Sequence, residues 1–324
     1  MNSSTTRILS ALGPLLGLFF VVAIFSADPE VRSFFLTGGN FKIILTQTVI
    51  VAIGALGMTL IIVSGGIDLS VGSVVAFTSV IPAKLILSGS DPVTAVLVSI
   101  LAGALVGAVN GGIVAFLKML PFIVTLGMMG VVRGMAKWMA SNQTVNPPPS
   151  PLNELMALSR PQQLFPLPIG VWVAIVLAGL MAVLLRYTVF GRYIFAIGSS
   201  EATARLCGIR VPWQKLGIYT LAGAFFGLAG LMQFSRLTQG DPSVAVGLEL
   251  DIIAAVVIGG ASLSGGTGSI VGSMIGALMM AVLRNGSNQM GWPTYMQEII
   301  IGVVIVLAVG LDKLRQARAA GRSG

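Results

Sequence analysis

The sequence predicts an all-α fold, a polytopic transmembrane helical bundle of about ten spans, with eight to eleven compatible with its length. Hydrophobic residues make up 55% of the 324 residues and charged residues only 9%, against about one quarter in soluble domains. Long apolar runs recur along the chain. A Gly-Gly-x-x-Leu-Ser-x-Gly element interrupts them twice, at 65–72 and 259–266. Such breaks at membrane depth are tolerated only where protein or water surrounds them, so we expect discontinuous helices around a transport pathway.

Ten apolar runs predict the spans in chain order, because about 20 helical residues cross a bilayer core. The first run could be a signal peptide, but no Ala-x-Ala cleavage motif precedes Asp28, which favours a transmembrane helix. The predicted spans are 8–27, 43–63, 71–88, 93–117, 122–140, 169–187, 214–234, 250–264, 268–284 and 296–311.

Lysine and arginine predict the orientation. Basic residues are concentrated in the segment 186–216, so the positive-inside rule places this segment and both termini in the cytoplasm. The proline-rich segment 141–168 then lies outside and is expected to be looped rather than one long helix. We expect residues 1–324 to form a single transmembrane domain.

Polar groups within or beside the apolar runs are candidates for a solute pathway, since ionisable side chains at membrane depth are costly and usually face the interior. Asp68 could instead cap a helix that starts near Ser70, and Gln47 and Asn110 could form only interhelical hydrogen bonds. The candidates are Gly65, Gly66, Asp68, Ser70, Gly259, Gly260, Ser262, Ser264, Gln47, Asn110, Arg133 and Asp251.

A short helix of about two turns is predicted inside the basic segment. Ser199 or Ser200 can cap its start, Glu201 in the first turn suits the helix dipole, and Gly208 can end it. This helix could fit a groove of a partner protein or be a well-capped surface connector, and the residues alone favour neither.

Several function classes are excluded by composition. There is no histidine and one cysteine, so neither a histidine-liganded metal nor an internal disulfide is expected. No lysine lies in a G-x-x-x-x-G-K-[ST] phosphate loop, so the chain has no catalytic site of its own for ATP. The net charge of +8 is gathered at span ends, which argues for membrane topology and against nucleic acid.

With these residues in view, the chain resembles the permease subunits of bacterial ribose/xylose-type ABC sugar importers over nearly its whole length. The run Gly65–Gly72 and the segment Gly247–Asp251 are the most specific similarities. Further matching segments are 57–60, Arg133-Gly134, 191–194, 196–198, Arg205-Leu206, Gly208-Ile209, Gly259-Gly260, Gly265-Gly266 and Gly268.

The resemblance implies a transport subunit, not an enzyme, in the bacterial inner membrane. Two such permeases, the second a copy or a paralogue, would be surrounded by membrane lipid and would bind two cytoplasmic ATPase subunits and a periplasmic sugar-binding protein. ATP and magnesium would act on the ATPase. The short helix then resembles the coupling helix that docks on the ATPase, formed by Ser199, Ser200, Glu201, Ala202, Arg205, Leu206 and Gly208.

Two other functions stay open on the residues alone. An ion-coupled secondary transporter of a small polar solute is the alternative, although few membrane carboxylates are available as proton relays. A purely structural membrane protein would carry no solute at all.

Overall fold

The computed structural model describes residues 3–158 and 167–320, and this part of the chain is helical apart from loops and one isolated bridge between Val145 and Gly240. A single 3₁₀ turn covers Pro151–Glu154. The α-helices are α1 Ser3–Ala27, α2 Pro29–Phe35, α3 Gly38–Val63, α4 Val71–Leu87, α5 Pro92–Phe116, α6 Pro121–Met139, α7 Ile169–Tyr187, α8 Val189–Ser199, α9 Glu201–Leu206, α10 Val211–Leu237, α11 Leu248–Ile258, α12 Ile270–Gln289 and α13 Thr294–Ala320.

The predicted all-helical membrane protein is confirmed. Six of the described helices are long and apolar enough to cross a membrane by themselves, namely α3, α5, α6, α7, α10 and α12. The helices α1 and α2 form a pair bent by 120°, and α4 and the 294–307 part of α13 are shorter apolar helices. The proline-rich segment is a loop with one short turn where it is described, and residues 159–166 lie outside the described residues.

The break predicted at 259–266 is confirmed, and the span predicted over 250–264 is helical only as far as Ile258. The helix α11 ends at Ile258 after 11 residues, which is about 16 Å of helix against a bilayer core of about 30 Å. The loop 259–269 follows, and Gly260, Gly265 and Gly266 adopt φ of +96°, +84° and +74° in it. The predicted span includes six residues of this loop, Gly-Gly-Ala-Ser-Leu-Ser, because none of them is charged.

Two short helices were not predicted, although local capping signals specify both. At α2, Asp28 caps the start, since its carboxylate accepts hydrogen bonds from the backbone N–H groups of Glu30 and Val31. Pro29 follows at the first helical position, where its missing N–H costs nothing. At α8, the hydroxyl of Thr188 accepts from the N–H of Gly191 at 3.1 Å.

The centre of the bundle is α3, which is almost completely buried, with α10 packed against α3, α4 and α5. Small residues allow α5 and α10 to approach closely. Cβ atoms at Gly103, Gly107 and Gly111 of α5 would collide with the backbone or side chain of Tyr219, Gly223 and Gly227 on α10.

The bundle has two ends. The α9 face is the end where α7 stops and α10 starts, with α8 and α9 between them. The loop face is the opposite end, which contains residues 140–158. The segment that connects α10 to α11, residues 238–247, starts at this end, and we call it the strap. The strap descends along α4: a Cβ at Gly240 would lie 2.7 Å from Ala83, and a Cβ at Gly72 would lie 2.5 Å from the Ala245 carbonyl oxygen.

Candidate functional site

The two glycine elements that the sequence repeats lie against each other in the fold. Together with α8 they form the glycine junction, which we define as Gly65, Gly198, Gly265 and Gly266. The N–H of Gly266 donates to the Val63 carbonyl at 2.9 Å, which ties the second loop, residues 259–269, to the end of α3. A Cβ at Gly265 would lie 2.7 Å from the Gly198 carbonyl oxygen and 3.0 Å from Gly65 Cα. Only glycine fits this contact of three backbones.

The first loop, residues 64–70 between α3 and α4, is held by a buried polar network. Asp68 accepts hydrogen bonds from the backbone N–H of Ser70 at 2.7 Å and from its hydroxyl at 2.6 Å. The Asn110 amide on α5 donates to Ser70 Oγ at 3.0 Å and to Asp68 Oδ2 at 3.3 Å. Thr125 on α6 accepts from the N–H of Leu69 at 3.1 Å. The network fixes the loop to two neighbouring helices, so these side chains have a positioning role.

The short helix α9 has the two caps that its sequence predicts. The hydroxyl of Ser200 accepts from the N–H of Thr203 at 3.2 Å. At the other end Gly208, with φ of +83°, donates to the Arg205 carbonyl, and Ile209 donates to the Ala204 carbonyl at 3.1 Å. These two hydrogen bonds form a Schellman motif, which requires a left-handed backbone conformation at Gly208. The helix has six residues, slightly less than the two turns predicted.

Ion pairs orient α9 against α10. Glu201 accepts hydrogen bonds from Arg205 at 2.5 Å and from Lys215, on α10, at 2.6 Å. Partial burial raises the pKa of the Glu201 carboxyl, but the hydrogen bonds from Lys215 and Arg205 outweigh burial and lower it overall. The carboxylate therefore stays ionised at neutral pH and keeps α9 linked to α10.

One side of α9 is exposed and partly apolar. Ala204 packs inward with Ile197 and Val211, whereas Leu206 is 88% exposed. Ala202, Arg205 and Cys207 are also exposed. The stiff, capped helix therefore presents this side outward, away from the core of the bundle.

The glycine junction and α9 are directly connected. Ser199, the last residue of α8, packs on Gly266, where an added Cβ would lie 2.7 Å from the serine hydroxyl. The next residue, Ser200, is the N-cap of α9. The start of α9 therefore lies one residue from the place where the end of α3 contacts the loop after α11.

A polar cavity of about 350 Å³ lies between α3, α10, α11, α12, α13 and the strap. This volume falls within the range of small-molecule sites. Its polar lining consists of Gln47, Gln233, Arg236, Asp251, Arg284, Asn288, Thr294 and Gln297.

An ion pair crosses this cavity from α11 to α12. Arg284 donates to Asp251 Oδ2 at 2.5 Å, and Asp251 is only 3% exposed. Oδ1 of Asp251 and Nε of Arg284 are buried without a hydrogen-bond partner in the described part of the chain. Arg133, on α6, donates to the carbonyls of Pro242 at 3.0 Å and Val244 at 2.6 Å and thereby holds the strap.

We expect Arg284→Leu to destabilise the protein by about 1–3 kcal/mol, because it leaves the buried carboxylate of Asp251 without its partner, while Arg284 itself is 38% exposed. The measurement is thermal unfolding of the purified protein in detergent. The double variant Asp251→Leu/Arg284→Leu should recover most of the loss, since both charges are then absent. A single variant as stable as the parent would show that the pair contributes nothing.

The structure brings some sequence-predicted pathway residues together and separates others. Gln47 and Asp251 line the cavity. Gly65 lies in the glycine junction, Gly66 packs beside Tyr219, and Gly259 packs against α12. Gly260, Ser262 and Ser264 belong to the second loop, Asp68, Ser70 and Asn110 to the polar network, and Arg133 to the strap.

Sequence reasoning did not select the other charged groups of the cavity. In the sequence, Arg236 and Arg284 stand at the ends of the predicted spans 214–234 and 268–284, where a basic residue usually reports topology. Gln233 and Gln297 do not belong to any motif in the sequence that would indicate a binding site. No group of three or more His, Cys, Asp or Glu side chains among the described residues is arranged to hold a metal ion.

Comparison with known proteins agrees with this architecture. Residues 40–309 match the family described as branched-chain amino acid transport system, permease component. The ribose import permease protein of Escherichia coli (strain K12) is 40% identical over 306 residues, 93% of each chain. That of Bacillus subtilis (strain 168) is 39% identical over 311 residues, 96% of this chain and 95% of the relative.

The L-arabinose ABC transporter permease protein of Azospirillum brasilense is 36% identical over 282 residues, 87% of this chain and 82% of the relative. No solved structure matches the chain. In this family the membrane chain is the transport subunit, and ATP is hydrolysed by a separate subunit. The chain therefore belongs to the multi-pass inner-membrane permease subunits of ABC transporters, in the family that includes the ribose import permeases.

Proposed function

We propose that this chain translocates a monosaccharide or a related small polyol across the bacterial inner membrane by alternating access, driven by a separate ATPase subunit. The observation that carries the proposal is the direct connection of α9 to the glycine junction through Ser199 and Ser200. A docking helix on the surface is thereby joined to the two broken segments at the centre of the bundle.

The orientation follows from charge. The α9 face carries Arg192, Arg205, Arg210 and Lys215, so we assign it to the cytoplasm together with both termini. The ATPase subunit would bind the exposed side of α9 around Leu206. ATP and magnesium would act only on that subunit. A periplasmic sugar-binding protein would dock on the loop face, and a second permease, a copy or a paralogue, would complete the channel within the lipid.

Closure of the ATPase would displace α9, and the displacement would reach α3 and α11 through the glycine junction. Gly265 and Gly266 have no side chains that could interlock with the first loop or with α8. The first and second loops can therefore slide past each other more readily than packed helices. Sliding would move α11, whose first turn carries Asp251 in the polar cavity. In this scheme the cavity is the solute pathway.

The solute class is supported by the names of the relatives and by the chemistry of the cavity. Two relatives are ribose import permeases and one is an L-arabinose permease, so pentoses are the first candidates. The side-chain amides in the cavity can each donate to and accept from hydroxyl groups. The family match leaves the ion-coupled alternative without support.

The native cysteine allows a direct test of docking. Cys207 is the only cysteine and is exposed at the end of α9. A photo-crosslinker attached to Cys207 in the complete complex should attach to the ATPase subunit. In the matched control, Cys207→Ser combined with Ser243→Cys moves the probe to the exposed strap on the loop face and should not reach the ATPase. Capture of the ATPase from Ser243→Cys but not from Cys207 would contradict the proposal.

We expect Gly208→Val to uncouple ATP hydrolysis from uptake. A β-branched residue at φ of +83° costs about 1–3 kcal/mol, which would open the Schellman motif and misalign α9. Hydrolysis and uptake are measured together in proteoliposomes. A Cβ at Gly208 meets nothing within 4 Å, so the effect is one of backbone conformation. Gly208→Asn, which tolerates the left-handed region, should retain most of the coupling; equal loss in both variants would refute this role.

A further inference from the structure

The polar cavity has an excess positive charge. Arg236 and Arg284 line it, and Asp251 is its one carboxylate among the described residues. Asp251 is already paired with Arg284 at 2.5 Å. Arg236 forms no ion pair or hydrogen bond within the described part of the chain, although it lies close enough to Arg284 for the two cations to repel each other.

The rest of the polar lining is uncharged and cannot neutralise Arg236. Asn288 and Gln297 satisfy each other in part, since the Gln297 amide donates to Asn288 Oδ1 at 2.7 Å. Gln47 and Gln233 lie on α3 and α10. An unpaired guanidinium in a cavity whose one lining carboxylate is already paired favours acceptor oxygens and disfavours a further cation.

We propose that this cavity is a charge-selective vestibule, in which Arg236 donates to oxygen atoms of the solute. It accepts neutral and anionic sugars and rejects cationic ones such as protonated amino sugars. The assignment rests on the proposed function insofar as the cavity is the solute pathway. Guanidinium donors suit hydroxyl and carboxylate oxygens alike, whereas an ammonium group offers only donors and a like charge.

The test uses charge-matched thiol reagents on the full chain in proteoliposomes. Cys207→Ser removes the only cysteine, and Val246→Cys places a new one on the cavity wall, where Val246 is 78% exposed. The labelling rates of sulfonatoethyl, hydroxyethyl and trimethylammonioethyl methanethiosulfonate are measured. Each rate is divided by the rate of the same reagent with a free small thiol.

At low salt we expect the normalised rate to fall from the anionic to the neutral to the cationic reagent. The anionic-to-cationic ratio should be at least about fivefold. Arg236→Gln should bring the ratio close to one, and about 0.5 M salt should reduce it in the same direction. Arg236→Lys keeps the charge and should keep the ratio, which separates charge from packing.

Arg186→Gln is the matched control, because it removes the same charge at the end of α7 on the α9 face and should leave the ratio unchanged. A ratio of one or less in the parent, or a ratio unaffected by Arg236→Gln, would overturn the proposal. The assay needs no ATPase, binding protein or transport. Absence of solute uptake would therefore contradict the proposed function alone. An anionic-to-cationic labelling ratio of one or less would contradict the charge-selective vestibule alone.

Discussion

Gly107→Leu is expected to abolish the folded protein. Gly107 lies at the contact of α5 with α10, where an added Cβ would overlap the Tyr219 carbonyl oxygen and lie 3.0 Å from Gly223 Cα. Both obstacles are backbone atoms, so a side chain can be accommodated only by separating the two helices. Overpacking by a single methylene costs about 1–3 kcal/mol, and a leucine adds more. The measurement is the yield of monodisperse protein from the membrane by size-exclusion chromatography.

Gly112→Leu is the matched control for this prediction. It makes the same substitution on the same helix, but a Cβ at Gly112 meets nothing within 4 Å. We expect its yield and melting temperature to be close to those of the parent. If Gly107→Leu folds as well as Gly112→Leu, the close approach of α5 and α10 is wrong.

Gly198→Ala is expected to reduce uptake at least about tenfold, an effect that corresponds to about 1.4 kcal/mol. A Cβ at Gly198 would lie 2.5 Å from the nitrogen of Gly266 and 2.9 Å from the carbonyl carbon of Val63. It would therefore displace the hydrogen bond from Gly266 to Val63 and separate the backbones of the glycine junction. We expect the ATPase to remain bound and to hydrolyse ATP with little transport. Uptake and hydrolysis are measured in the same proteoliposomes.

Gly217→Ala provides the comparison, because it lies near the start of α10 and its Cβ would make only an ordinary contact of 3.6 Å with Phe190. Its uptake should remain within about twofold of the parent, an effect that corresponds to roughly 0.4 kcal/mol. Equal uptake by Gly198→Ala and the parent would show that the glycine junction does not transmit the motion of α9.

The fold class and most helices could be predicted because apolar runs and capping residues act locally. The prediction of 169–187 coincides with α7, and 43–63 ends with α3. The end of α11 was predicted less exactly, since uncharged residues follow Ile258 and form a loop whose shape depends on contacts with Val63 and Gly198. Contacts between segments two hundred residues apart leave no local pattern in one sequence.

Only those parts of the candidate site that depend on local sequence signals could be predicted. The caps of α9 are local, and the roles expected for Ser200 and Gly208 appear in its hydrogen bonds. The pair of Asp251 with Arg284 joins two helices across the loop 259–269. The sequence indicated that Asp251 is a charged residue at membrane depth. It contained no pattern from which Arg284 could be predicted as its ion-pair partner.

The repeated glycine element is now assigned a place in the fold. Its two copies differ chemically, with Asp68 in the first and Ser262 in the second, and a buried carboxylate network holds the first. Their glycines nevertheless meet at one point beside α8. We infer that the repeated feature is the requirement for backbone contact, not a shared solute ligand.

Solute uptake by the reconstituted complex tests the central claim most directly. The chain is placed in proteoliposomes with its cognate ATPase and binding protein, ATP is held constant, and proton and sodium gradients are dissipated. We predict that labelled solute accumulates only when ATP and both partners are present. Uptake by this chain alone, driven by an ion gradient and indifferent to ATP, would contradict the assignment.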